Sequence, residues 1–396
     1  MAKKTKIVTK GRNSKLHAGC VNPPIYQTST VLFPDLASYH SAENGVRFYK
    51  ETENGNAADY SYGIYGTPTT FALQDVLCEL EGGDACVITS SGLSAITTTL
   101  LALLKSGDHI LMVDTVYGPT RRFCNKELKK YGIETTYYDP TIGADIKNLI
   151  QKNTKMIFLE SPGSLTFEIQ DVPAIVKIAK ENDIITVLDN SWATPLYFNP
   201  LKLGVDVSIQ AVTKYIGGHS DLLLGAIITK GEAVTKRLFK SAQNLGVAAS
   251  PYDCSLALRG IRSMAARMEM HQKNTNVVIN AIKDNPKISK ILYPAYEGDD
   301  FHELWKSQFK GAASLFSVVL DRKYSDAELA NMIDNMELFG IGASWGGYES
   351  LVLNFDPSSI RTATKWTETA SCVRFYIGLE DTEDLISDIK KALDRL

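Results

Sequence analysis

From Thr69 to Gln210 the chain alternates short, nearly all-apolar runs with longer amphipathic ones, and few folds accept that pattern. ACVIT, HILMV, KMIFLE and IITVLD are too short for helices and too uniformly apolar for strands with one wet face. Strands of that kind are covered on both sides, as in the parallel sheets of βαβ units. Between them lie helical stretches. TTFALQDVLCELEGG is expected to start near Thr69 or Thr70 and to stop at Gly82-Gly83. Others run from Ser94 to about Lys105, through Arg121 to Lys130, near Ile146, and along VPAIVKIAKEN. The fold class predicted is α/β, with a mostly parallel central sheet covered by helices.

The texture differs on either side. Beyond Gly260 a charged helical stretch, RSMAARMEMHQKNTNVVINAIKDN, leads to strand-like SLFSVVL, a helical pattern near Asp326 to Met336, and strand-like VRFYIGL. That mixture predicts a smaller α+β domain over residues 261–396, following a main α/β domain over 62–260. Residues 1–61 are polar and irregular, yet Ile25, Tyr26, Val31, Leu32 and Phe33 need cover. They are expected to form an arm that contacts a neighbouring subunit.

Charge and cysteines exclude several classes. A net charge of −3 gives no electrostatic reason to expect nucleic acid or an anionic membrane surface. The six cysteines show neither a C-x-x-C pair nor metal-ligand spacing, so they read as reduced thiols and no metal site is expected. The longest apolar run, ITTTLLALL, is too short to cross a membrane. The basic stretch MAKKTKIVTKGR lacks the apolar segment of a signal peptide, and a cytoplasmic location is expected.

Ligands of open α/β sheets bind beyond the carboxyl ends of the strands, and four features fall there. Ser90-Ser91-Gly92-Leu93-Ser94 joins a strand to a helix, where backbone amides and the helix dipole can hold a phosphate. Tyr117 follows HILMV and can stack on a planar ligand or merely pack on its own loop. Asp189 ends IITVLD and can cap the next segment or keep a pyridine nitrogen protonated. Lys214 follows the run DVSIQAVT and precedes Gly217 and Gly218. Alone it is most simply a solvated strand end; buried, it loses its charge readily and suits Schiff-base chemistry. A phosphate cradle, a stacking ring, a carboxylate and a Schiff-base lysine are what pyridoxal 5′-phosphate (PLP) requires.

Longer motifs make this specific. Tyr62-Gly63 with Gly66-Thr67-Pro68-Thr69, CELEGG, DTVYGPT, LESPGS, LDNSWATP, SIQAVTKYIGGHSD and SWGGYESL resemble the Cys/Met-metabolism PLP enzymes, most closely their bacterial cystathionine β-lyase branch. The likeness runs from about residue 14 to the end. It implies the aspartate-aminotransferase-like (type I) fold, and a homotetramer built of catalytic dimers. It makes Lys214 the Schiff-base lysine and acid/base, Tyr117 the ring-stacking residue, and Asp189 the partner of the ring nitrogen. Gly92, Leu93 and Thr213 would hold the phosphate, with Tyr62 reaching in from the neighbouring subunit. Arg374 would bind the substrate α-carboxylate, with Ser344 and Trp345 at the same end; the simpler alternative for Arg374 is an ion pair with Glu380 or Asp381.

Two positions depart from the family pattern. Ile64 stands where most members carry a phosphate-binding arginine, and Tyr65, Arg47 or Lys50 are the candidates to compensate. Ala211 stands where the family often has serine; the bacterial β-lyase branch commonly has alanine there, as here. The reaction implied is β-elimination from cystathionine to homocysteine, pyruvate and ammonia, with minor cysteine desulfhydrase activity. Pro119 argues against a methionine γ-lyase, which typically has cysteine there. A γ-acting lyase or synthase, an alanine racemase activity in the same site, and a non-catalytic scaffold are the alternatives.

Overall fold

The computed structural model describes residues 1–44 and 61–396; Arg47, Lys50 and the run from Glu51 to Asn56 lie outside the described residues. The amino-terminal region contains α1 (Lys3–Thr9) and α2 (Leu36–Asn44). The main unit then runs α3 (Pro68–Glu81), β1 (Ala85–Thr89), α4 (Gly92–Leu103), β2 (His109–Val113), α5 (Gly118–Phe123), β3 (Glu134–Tyr138) and β4 (Thr154–Glu160). It continues through α6 (Val172–Glu181), β5 (Ile185–Asp189), α7 (Thr194–Tyr197), β6 (Val207–Gln210), β7 (Gly225–Thr229) and α8 (Glu232–Asn244). The second unit follows α9 (Pro251–Ile282) with β8 (Ile288–Leu292), α10 (His302–Gln308), β9 (Leu315–Leu320), α11 (Asp326–Ile333), β10 (Gly340–Ile341), β11 (Leu351–Phe355), β12 (Cys372–Tyr376) and α12 (Thr382–Leu393).

The main sheet has seven strands in the order β1-β7-β6-β5-β4-β2-β3. Its centre is parallel, as the apolar strands predicted, and β7 alone runs antiparallel to both neighbours, β1 and β6. Every residue of β1, β2, β6 and β7 is buried, which is why those strands read as continuous apolar runs. The second sheet, β10-β11-β12-β9-β8, is antiparallel except for the β10–β11 pair, and gives the smaller α+β unit expected. The chain passes from one sheet to the other along α9, which spans 32 residues without a break and so runs through Gly260.

Helix ends differ slightly from the sequence reading. The first predicted helix begins at Pro68, one residue before Thr69, because proline is pre-set for the first helical position, where its missing N–H is not needed. Its carboxyl end is as predicted: Gly82 takes the left-handed conformation, and its amide closes on Cys78 O. The second starts at Gly92 rather than Ser94, since Ser91 serves as N-cap and accepts from the Ser94 amide.

Helix α1 packs on its own chain, against α3 and α9. Ile7 is fully buried there, and Arg262 donates to the carbonyls of Ile7 and Lys10 at 2.6 and 2.8 Å. Apolar residues are left open at Met1 and Val8 and, further on, at Val21, Ile25, Leu32 and Leu36.

Candidate active site

The parallel strands β4, β5 and β6 end side by side, and their carboxyl ends deliver Glu160, Asp189 and the turn that carries Lys214. Beyond Gln210 the chain coils tightly: the Lys214 amide donates to Ala211 O at 3.0 Å, and the Gly218 amide to Lys214 O at 2.8 Å. The next residue, Tyr215, is fully buried and bonds Ser314, which anchors the turn in the second unit. The Lys214 ammonium therefore points into the junction between the two sheets. There it donates to Ser344 Oγ at 2.6 Å and lies 5.0 Å from the centre of the Trp345 ring. Burial brings its pKa down to about 8; the Arg374 charge pushes the same way and Asp189 opposes. A solvated strand end would not behave so.

Gly346 explains how the 344–347 loop comes so near. Its φ of +94° suits glycine, and a Cβ there would sit 2.7 Å from the Lys214 carbonyl carbon. His219, which the mechanism does not need, bonds Gly217 O at 2.7 Å and shapes the loop.

Asp189 and Glu160 are register partners on β5 and β4. Asp189 accepts from the Ser191 amide and hydroxyl at 3.0 and 2.6 Å, both at Oδ1. Burial pushes its carboxyl up, against those two bonds and the Lys214 charge. Glu160 belongs to the LESPGS motif, but its part in the site comes only from its place in the sheet. Its Oε2 accepts from the Tyr117 amide at 2.8 Å. Burial, and then the neighbouring Asp189 charge, drive its carboxyl well above the usual range. A carboxylate ending a strand beside the one that ends in Asp189 was the signal that could have found it. Tyr117 is half exposed at the N-cap of α5, and its phenol is pushed up by burial and then by Glu160 and Asp189.

The segment expected to cradle the phosphate is a helix start pressed on a strand end. A Cβ on Gly92 would stand 2.8 Å from Ala211 Cβ, so α4 meets the end of β6 only because residue 92 is glycine and residue 211 is small. The amides of Gly92 and Leu93, in the first turn of α4, have no intrahelical acceptor. Thr213 sits beside them with its hydroxyl engaged, donating to Leu224 O at 3.1 Å and accepting from the Leu224 amide at 3.0 Å. Tyr62 is not joined to this group within the chain. It pairs with Thr30 in a short bridge, and Tyr62, Ile64 and Tyr65 stand open on the surface.

Arg374, on β12, is 7% exposed. It donates to Gly342 O at 3.0 Å and to Ser344 O at 3.4 Å, and its Nε is buried without an acceptor. Among the described residues no carboxylate pairs with it: Glu380 is taken by the Ser350 amide and hydroxyl, and Asp381 caps α12. A buried guanidinium so placed is a receptor for a carboxylate. Together these groups fit PLP and an amino acid: free helix amides for phosphate, a carboxylate without an ion-pair partner for the ring nitrogen, a lysine whose charge burial weakens for the aldehyde, and Arg374 for the α-carboxylate.

Known proteins bear on this arrangement. The profile described as "Cys/Met metabolism PLP-dependent enzyme" matches residues 4–394. The chain is 49% identical to an L-alanine/L-glutamate racemase of Wolbachia pipientis wMel, over 100% of this chain and 98% of the relative. It is 39% identical to the cystathionine β-lyase MetC of Escherichia coli K12, over 99% and 98%. Among solved structures, metB from Corynebacterium glutamicum superposes with a TM-score of 0.88 at 29% identity, covering 100% of this chain and 98% of that one. With a match of that extent laid over the strand ends that carry Lys214 and Asp189, the chain belongs to the Cys/Met-metabolism PLP-dependent enzymes, and pyridoxal 5′-phosphate is its cofactor.

Proposed function

We propose that the chain is a carbon–sulfur β-lyase that cleaves L-cystathionine to homocysteine, pyruvate and ammonia. The observation that carries this reading is Lys214, its pKa brought down to about 8 by burial and its amine held at 2.6 Å by Ser344, beside Arg374, which meets no carboxylate among the described residues. Lys214 would hold the cofactor covalently, with Asp189 at the ring nitrogen and Tyr117 on the ring. The amides of Gly92 and Leu93, with Thr213, would hold its phosphate. Tyr62 would be contributed by a second copy, through the arm formed by residues 1–61 in a homotetramer of catalytic dimers. When bound, PLP supplies the electron sink that makes the Cα proton removable.

The side chains do the rest. Arg374 binds the α-carboxylate and, with Ser344 and Trp345, turns the Cα–H bond toward Lys214. The freed Lys214 amine takes that proton. The Cβ–S bond then breaks with its electron pair going to sulfur, and Lys214 returns the proton to the departing thiolate. Water hydrolyses the three-carbon enamine to pyruvate and ammonia. One lysine serving both Cα and sulfur leaves no step for a histidine.

A second reading uses the same first step. Alanine and glutamate carry no leaving group at Cβ, so the proton can only return to Cα. Tyr117 offers a phenol as a second acid, and return of a proton from that side would invert the centre. The relative named as an L-alanine/L-glutamate racemase supports this activity in the same site. Incubation with L-cystathionine, with the thiol product identified, tests the first reading. Homocysteine is expected, and cysteine would assign the chain to γ-elimination instead. Incubation with L-alanine in deuterated water tests the second: D-alanine bearing deuterium at Cα is expected, and its absence removes the racemase reading.

A further inference from the structure

Glu160 has no part in that account, yet it stands among the residues that do. It ends β4, pairs in register with Asp189 on β5, and its Oε2 accepts the Tyr117 amide at 2.8 Å. The strand continues from it into a firmly held turn: Gln170 Nε2 donates to Glu160 O at 2.8 Å, and the Gln170 amide to Ser161 Oγ at 3.1 Å. The Glu160 carboxyl is therefore not a mobile surface group. Two carboxyls on adjacent, partly buried strand ends do not both ionise readily, because each raises the other's proton affinity. Asp189 has the stronger claim to the charge: the Ser191 amide and hydroxyl both donate to it, and Lys214 lies within electrostatic reach. Glu160 has a single donor, an uncharged backbone amide. The charged and titratable groups facing the pair are Asp189, Tyr117 and Lys214, with Arg122 beyond Tyr117.

We propose that Glu160 is a positioning residue that carries a proton in the working enzyme: its neutral carboxyl fixes the Tyr117 backbone for ring stacking and leaves Asp189 the sole anion beneath the ring nitrogen. The inference rests on the reading of Tyr117 as the stacking residue. A neutral Glu160 still accepts the Tyr117 amide through its carbonyl oxygen, if less strongly than an ion would, and spares the site a second negative charge that would compete with Asp189 for the ring proton.

The test compares apoenzymes of wild type, Glu160→Gln, Glu160→Ala and Tyr117→Ala. PLP affinity is measured by quenching of protein fluorescence, and the pH titration of the lysine-bound chromophore is followed by absorbance. Glutamine keeps a neutral acceptor for the Tyr117 amide, so Glu160→Gln should bind PLP within about twofold of wild type, whereas Glu160→Ala should lose about tenfold. The chromophore of Glu160→Gln should titrate within about 0.3 pH units of wild type, since no charge has been removed. An ionised Glu160 would instead stabilise the protonated chromophore. Its removal would then lower the midpoint by about one unit and weaken binding in both variants, and that result overturns the proposal. Should Glu160→Ala fail to fold, the midpoint of Glu160→Gln decides alone. Unaltered PLP binding by Tyr117→Ala would show that the stacking reading had failed, independently of the Glu160 midpoint.

Discussion

Arg121 and Arg374 are buried to the same extent, 7% exposed each, and are treated in opposite ways. Arg121 meets Asp114 at 2.7 Å and lies over the Tyr137 ring. Asp114 in turn accepts the amides of Thr362, Ala363 and Thr364 and so fastens a loop of the second unit to the first. Burial alone would push that carboxyl up, but the Thr362, Arg121 and Thr364 donors together hold it below the usual range. Arg361 in the same loop is paired likewise, with Glu168. Arg121 and Arg374 each have a buried Nε without an acceptor, but among the described residues Arg374 meets only the carbonyl oxygens of Gly342 and Ser344 and no carboxylate. A guanidinium taken out of water and given no counter-ion is destabilising to the fold. The first two arginines therefore hold the structure together, and the third stores a demand that, on the proposed reading, a substrate carboxylate would satisfy.

That contrast can be broken by experiment. Arg374→Leu should lower kcat/KM by about 10³-fold while leaving stability within about 1 kcal/mol of wild type, because it removes a buried charge along with its unmet need. Steady-state kinetics and a urea melt of the same preparation decide it; a large loss of stability would make Arg374 a structural residue after all. Asp114→Ala should do the reverse and cost about 3 kcal/mol of stability, since it strands Arg121 and three backbone amides. Denaturant titration measures this, and an unchanged midpoint would dissolve the contrast.

Lys214 is a cation of another kind, with its own sign. With a folded pKa of about 8 against an ordinary 10.5, the unfolded chain binds more protons across that interval. Apoenzyme stability should therefore rise with pH from about 8 towards 10.5. Lys3, also depressed to about 8 chiefly by burial, contributes in the same window, so Lys214→Met should remove only part of the slope. Capture of PLP by the apoenzyme, followed by absorbance, should quicken about tenfold per pH unit below 8 and level off above it. The smallest effect expected is at Ile64, where adding a cation is the mirror image of removing one: Ile64→Arg should tighten PLP binding by about fivefold through a charge-assisted contact to phosphate.

Local chemistry made much of this legible. Lys214, Asp189, Tyr117 and Gly92 each follow a short apolar run, so the α/β pattern by itself places them at strand ends. Glu160 follows such a run as well, yet its meaning lies in lying opposite Asp189, and strand order is not written in either strand. The direction of β7 was hidden for a related reason: a fully buried five-residue run reads the same in either orientation. The Asp114 fastening joins residues 248 apart in the chain, and no local signal carries it. The unpaired state of Arg374 was illegible too, because Glu380 and Asp381 sit close by in sequence and turn elsewhere in space.

The contact at Gly346 has a consequence for how the site can change. There the two units meet main chain against main chain, behind Lys214, with no rotamer between them to swing aside. At residue 346 the wall behind Lys214 is thus main chain, and any side chain added there would collide with the Lys214 backbone. A longer substrate would extend outwards, past the rim at Tyr117, which is 44% exposed. Drift from one amino-acid substrate to another is therefore confined to that rim, while the chemistry at the back wall stays the same.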